Sequence, residues 1–113
     1  MEAQDYPIAH FEGVARLARA LKQLPAQVLE HEYSYESFGS WLLVVRHKGI
    51  VGRIVFDGHE SDLGIQTSKD RKPPYRYGSL TEMERGLGAD SLDDAMVEKI
   101  CGVIVQWERL GSA

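Results

Sequence analysis

Cysteine is almost absent from this chain: Cys101 stands alone in 113 residues. A single thiol leaves no internal disulfide and fits a reducing compartment. Its neighbours Ile100, Val103 and Ile104 place it on or near a buried helix face, where a thiol behaves as an inert apolar group. Long apolar runs are also missing. The longest, Trp41 to Val45, falls far short of the ~20 residues needed to span a bilayer. Met1 to Asp5 has neither the basic start nor the apolar centre of a signal peptide, so a cytoplasmic protein without membrane attachment is expected. Basic charge is short as well, with 13 Lys and Arg against 17 Asp and Glu and a net charge of -4. A chain lacking a broad basic face is poorly suited to general nucleic-acid binding, because phosphate neutralisation requires one. No glycine-rich phosphate loop occurs either, since Gly86-Leu87-Gly88 lacks the preceding strand and the lysine. Ser, His and Asp occur without the local context of a catalytic triad. No catalytic residue, metal ligand set or cofactor is assigned.

What is present is a central block of β-formers. Trp41, Leu42, Leu43, Val44 and Val45 read as a strand covered on both faces, Trp41, Leu43 and Val45 opposing Leu42, Val44 and Arg46. His47-Lys48-Gly49 supplies a turn in which Gly49 takes a positive φ. In the next strand Ile50, Gly52, Ile54 and Phe56 line one side, and Val51, Arg53, Val55 and Asp57 line the other. Asp57-Gly58 signals a second hairpin, after which Leu63, Ile65 and Thr67 alternate with Asp62, Gly64 and Gln66.

Before this block, Asp5 caps a predicted helix with Pro7 in its first turn, and Ile8, Phe11, Val14, Ala15, Ala18, Leu21 and Leu24 recur at helical spacing as its apolar side. Glu12, Arg16, Arg19, Lys22 and Gln23 form its solvated side. Residues 28–38 alternate and predict the first strand: Leu29, His31, Tyr33, Tyr35 and Ser37 pack, with His31 as a hydrogen-bonded core histidine. Val28, Glu30, Glu32, Ser34 and Glu36 face water. The carboxylates of Glu30, Glu32 and Glu36 spread over roughly 7 to 20 Å, too dispersed for a metal site but suited to recognising a basic partner. Phe38-Gly39-Ser40-Trp41 punctuates the first two strands.

After the block, residues 69–78 are irregular and read as a mobile connection between sheet and helices. Lys69, Arg71, Lys72 and Arg76 beside Tyr75 and Tyr77 make a small stacking surface, the alternative site for nucleic acid. Ser79-Leu80-Thr81-Glu82 matches a capping box and predicts a short helix ending at Gly86 or Gly88. Ser91 or Asp90 then caps the last helix, with Asp93 and Asp94 in its first turn. Its apolar stripe is Leu92, Met96, Ile100, Val103, Trp107 and Leu110, widened by Val97 and Ile104. Residues 79–113 hold seven acids against three bases, and Asp93, Asp94 and Glu98 extend the acidic outer side. The turn residues Asp57, His59, Glu60 and Asp62 match neither a calcium loop nor a zinc motif. Catalysis by His59, Glu60 and Asp62 would need a concave pocket joining them to His31 or His47.

The expectation is a single α+β domain over 1–113, a four-stranded antiparallel meander packed with N- and C-terminal helices plus a short helix before the last one. The opening helix, the meander containing Phe38-Gly39-Ser40-Trp41 and Phe56-Asp57-Gly58, and the closing helix resemble small bacterial proteins encoded beside polymorphic toxins, including contact-dependent growth inhibition immunity proteins. The resemblance implies a cytoplasmic, non-enzymatic inhibitor that plugs a toxin domain, often a basic nuclease, and it transfers no individual site residue. Partner binding is expected at Glu30, Glu32, Glu36, Asp93, Asp94 and Glu98. A nucleic-acid module using residues 69–77, or a secretion chaperone, is the alternative.

Overall fold

The alternation in the central block sets the architecture. In the computed structural model, which describes residues 8–34, 40–78, 80–84 and 92–107, the elements are α1 (Ile8–Gln23), β1 (Gln27–Ser34), β2 (Ser40–His47), β3 (Ile50–Asp57), β4 (Asp62–Thr67), β5 (Thr81–Glu84) and α2 (Asp94–Ile104). The strands form one antiparallel sheet in the order β1-β2-β3-β4-β5. The fold is therefore α+β, as expected, with five strands among the described residues instead of four. Trp41, Leu43 and Val45 pair with Phe56, Ile54 and Gly52, and Phe56 and Ile54 pair in turn with Leu63 and Ile65. These side chains make one apolar face, on which both helices lie.

The β2–β3 turn is tighter than the triplet His47-Lys48-Gly49 predicted. His47 belongs to the strand, paired with Ile50, and its imidazole is buried. The strand runs on because Nδ1–H finds an acceptor, the Pro25 carbonyl oxygen, at 2.9 Å. Lys48 and Gly49 alone form the turn, with φ of 51° and 80°, the two-residue geometry that matches strand twist.

In α1 the buried side is rotated from the predicted one. His10, Gly13, Leu17 and Leu21 are buried, while Ile8 and Phe11, expected inside, are 76% and 52% exposed, and Ala15 and Ala18 are exposed too. Contact with α2 selects this phase. A Cβ on Gly13 would lie 2.6 Å from Leu92 Cβ, so only glycine permits this approach, and the Arg16 guanidinium donates to the Leu92 carbonyl. In α2 the stripe Leu92, Met96, Val97, Ile100, Ile104 and Trp107 is buried as predicted, with Val103 partly so. The cap is Asp93, whose carboxylate accepts from Met96 N–H at 2.9 Å, and not Ser91 or Asp90, which lie outside the described residues. Asp93→Ala should cost about 1 kcal/mol, read as a lowered midpoint in urea unfolding. Asp5, Pro7, Tyr35, Glu36, Ser37, Phe38, Gly39, Ser79, Gly86, Gly88 and Leu110 are likewise outside the described residues.

The helix expected after Leu80 is a strand where it is described. Thr81, Glu82 and Glu84 pair with Ile65, Gly64 and Leu63, with a bulge between. The open edge of β4 offers backbone hydrogen bonds that outweigh the local capping signal, and Leu80 drops into the space left by Gly64, where a Cβ would meet it at 2.7 Å.

The connection before β5 is pinned and returns to the sheet instead of leading to a helix. Ser68 bridges Tyr77, Lys69 N–H donates to the Arg76 carbonyl at 2.9 Å, and Gly78 N–H donates to Thr67 at 3.0 Å. Asp70 accepts from both the backbone and the guanidinium of Arg76, which holds its carboxyl below the ordinary range.

Candidate functional site

With both helices on one side, the second face of the sheet carries no helix among the described residues. Strand register reads out its composition directly. One row runs Glu32, Leu42, Val55, Gly64 and Glu82, and the next runs Glu30, Val44, Arg53 and Gln66. Asp57 and Asp62 pair at the end of β3 and β4 on the same side. The centre of the face is thus apolar, with Leu42 and Val55 half-buried and Leu80 lying over Gly64. Carboxylates stand around it: Glu30 and Glu32 on β1, Glu82 on β5, and Asp57 and Asp62 at the turn.

β1 is an edge strand, paired only with β2, with a bulge between Val28 and Glu30. That position explains a second departure from expectation. Leu29 and His31, read as packed, are exposed, because an edge strand is covered only in part: His31 meets His10 of α1 and still remains exposed. The bulge and the charges also guard the edge against pairing with a second copy, which would set carboxylate against carboxylate. Glu30 and Glu32 are close enough to share a hydrogen bond. That bond, then slight burial and the charge of Glu32, push the Glu30 carboxyl above its usual value. A pair of carboxyls in this state is poised to favour an incoming cation.

Arg53, a cation at the centre of this face, is already held. Arg53 Nε donates to Gln66 Oε1 at 2.6 Å, and the guanidinium lies 4.1 Å from the centre of the Tyr77 ring. Gln66 donates onward to the Gly78 carbonyl at 2.8 Å. Burial raises the Tyr77 hydroxyl pKa, Arg53 opposes that rise, and Glu30 and Tyr75 add to it.

The six acids expected to bind a partner do not form one patch. Glu30 and Glu32 lie on the open face, whereas Asp93, Asp94 and Glu98 belong to the helix layer on the opposite side, and Glu36 is outside the described residues. Asp93 is occupied as a cap, and Asp94 is 3.3 Å from Arg16. Leu42, Val55 and Glu82 were not singled out from the sequence. The register of β2 and β3 was the available signal for Leu42 and Val55; Glu82 was hidden by the capping-box pattern. Of the basic and aromatic residues, Arg76 is engaged by Asp70 and Tyr77 by Arg53, while Lys69, Arg71 and Lys72 are exposed and Tyr75 is partly covered.

The imidazoles are dispersed. His10 and His31 form a pair between α1 and β1, Nε2 to Nε2 at 3.2 Å. His47 is bonded to Pro25. His59 and Glu60 are exposed in the turn, where both backbone N–H groups donate to Asp57 Oδ1. No group of three or more His, Cys, Asp or Glu side chains able to hold a metal occurs among the described residues. Cys101 is partly buried, and burial raises its thiol pKa, which disfavours the reactive thiolate. Among the described residues no helix is long and apolar enough to cross a membrane. No family model, no curated protein and no solved structure matches this chain.

Proposed function

We propose that this chain is a non-enzymatic binding protein, an immunity-type inhibitor that holds a basic toxin domain against the open face of its sheet. One observation supports the reading above others: an exposed Glu30–Glu32 carboxyl pair beside an apolar strip that no helix covers among the described residues. Interfaces of this kind place an apolar centre inside a polar rim, and rim charge of one sign steers and selects a partner of the other. A basic nuclease domain, whose own substrate is polyanionic, presents the matching surface.

The test is titration calorimetry against the product of the adjacent gene. A complex is expected that weakens as salt rises, and Glu30→Gln with Glu32→Gln should weaken it about tenfold, ~1.4 kcal/mol. Asp94→Asn with Glu98→Gln, on the other layer, should leave it within twofold. A salt-insensitive complex, or one weakened only by the helix pair, would sink the proposal.

A further inference from the structure

Beside Glu32 the open face is not flat. A hollow of about 170 Å³ lies between the ends of β1, β2 and β3, and its walls include Glu32, Ser40, Trp41, Leu42, Val55 and Phe56. Its size is informative. Pockets for cofactors and drug-sized ligands run to about 300–1,000 Å³, whereas a cavity of about 150 Å³ accepts a molecule no larger than benzene. The hollow has room for one side chain and little more.

Its chemistry narrows which one. Among the described residues the walls are mostly apolar and the acidic side chain is Glu32, with Glu30 two residues along on the same face. An aliphatic or aromatic occupant would cover the Glu32 carboxylate without pairing it, and burying an unpaired charge is costly. An acidic occupant would be repelled by both glutamates. A long basic side chain satisfies both requirements, since its methylene stem lies on apolar walls while its head stays with the carboxylate. Between the two long cations, arginine suits the site better. Its fork of five donors can engage two neighbouring carboxylates at once, where an ammonium acts as a point charge.

We infer that this hollow is the anchor site for a single arginine side chain of the partner protein, the guanidinium being received by Glu32 and Glu30. The inference rests on the reading above in taking the partner to be a basic protein. It adds the residue through which that partner is held, and buried arginines are among the side chains that most often dominate an interface. Charge complementarity selects this occupant over a second copy of the chain, whose matching face would carry the same carboxylates.

The probe is the tripeptide Gly-Arg-Gly, with citrulline and leucine peptides of the same length as the uncharged and apolar controls, titrated into ¹⁵N-labelled protein. Saturable shifts of the Glu32, Leu42 and Val55 amides are expected with the arginine peptide. They should be at least tenfold weaker with citrulline, and equally weakened by Glu32→Gln, an exposed position that does not threaten folding. Val55→Met, which fills the hollow, should abolish them. Equal binding of the leucine or citrulline peptide, shifts confined to other residues, or shifts that follow protein concentration alone would each overturn the assignment, the last by making a second copy the occupant. The same variants separate this inference from the broader one. If the partner complex is weakened by the Glu30/Glu32 double variant yet unaffected by Val55→Met, the surface is right and the anchor wrong. If the arginine peptide binds as described while no basic partner does, the anchor stands and the immunity reading falls.

Discussion

Gly52→Val is expected to remove about 3 kcal/mol of stability or more, through overpacking at a site where neither neighbour can retreat. Gly52 lies on the core face of β3, and a Cβ there would stand 2.7 Å from two atoms of the Trp107 ring and 2.8 Å from the Gln66 carbonyl oxygen. Trp107 is 0% exposed and belongs to the core cluster, so it has nowhere to move. The Gln66 oxygen is part of the β3–β4 backbone ladder, and shifting it would disturb strand pairing. Trp107→Ala should cost a similar ~3–5 kcal/mol by the opposite route, an unfilled cavity. The indole N–H finds no acceptor among the described residues, so what the ring contributes there is packing. Because the two sites touch, their effects should not add. Gly52→Ala ought to cost less in the Trp107→Ala background, though not nothing, since the Gln66 oxygen is still present. Urea midpoints for the four members of the cycle decide it. Strict additivity would mean that ring and glycine do not depend on one another.

Stability should fall by about 3 kcal/mol between pH 7 and pH 4 on account of His10 alone. Its side chain is 4% exposed and sits among His31, Tyr33 and Trp41, with ring centres 5.4, 4.5 and 5.9 Å away. Burial first, and the charge of His31 second, bring its pKa down from 6.5 to about 4. The unfolded chain takes up a proton at this residue near pH 6.5, while the folded chain does not until about pH 4. Across that window the unfolded state binds more protons, so stability rises with pH and is lost as pH falls. About 2.5 units at 1.36 kcal/mol each gives the figure, a large share of the 5–15 kcal/mol typical of a domain. The His10–His31 contact has the same sense. The 5.4 Å between ring centres nearly equals the 3.2 Å nitrogen–nitrogen distance plus two ring radii, so the two nitrogens face each other and one N–H donates to the other. A second proton would set two donors head to head. Two carboxyls titrate differently. Asp70, held low by Arg76, gives up its contribution only below the usual carboxylate range, and Glu30, held high by Glu32, works in the opposite direction. His10→Gln isolates the effect, since its level of stability is immaterial and only the slope is read. Urea midpoints at successive pH values should decline for the native chain and stay comparatively flat for the variant. Parallel slopes would show that His10 is not the titrating group.

Both effects arise where the sequence was least legible. Gly52 is one of several glycines in a strand-like pattern, and only α2 packing against β3 makes its missing side chain necessary. His10 fell between the apolar positions Ile8 and Phe11, whose spacing pointed to a different side of α1. The approach of Gly13 to Leu92 chose the phase instead. The candidate surface was half legible. Glu30 and Glu32 follow from alternation in β1, but five consecutive apolar residues in β2 imply cover on both sides. Among the described residues Leu42 and Val55 meet no helix; alternation sets Val55 with Arg53 and Asp57, but nothing in the apolar run of β2 separates Leu42 from Leu43. Ser79-Leu80-Thr81-Glu82 carried a capping signature that the free edge of β4 overrode over Thr81–Glu84.

The order and alternation of residues settled by themselves the three central strands, which residues share a face in each, the α2 stripe and the α+β class. Each depends on side chains that project at a fixed period from one element, which is information local to the chain. Tertiary structure decided the rotation of α1, the identity of β5, the pairing of His10 with His31, and that among the described residues one face of the sheet carries no helix. Those features depend on which surfaces compete for the same partner across long stretches of sequence, and a local period says nothing about that competition.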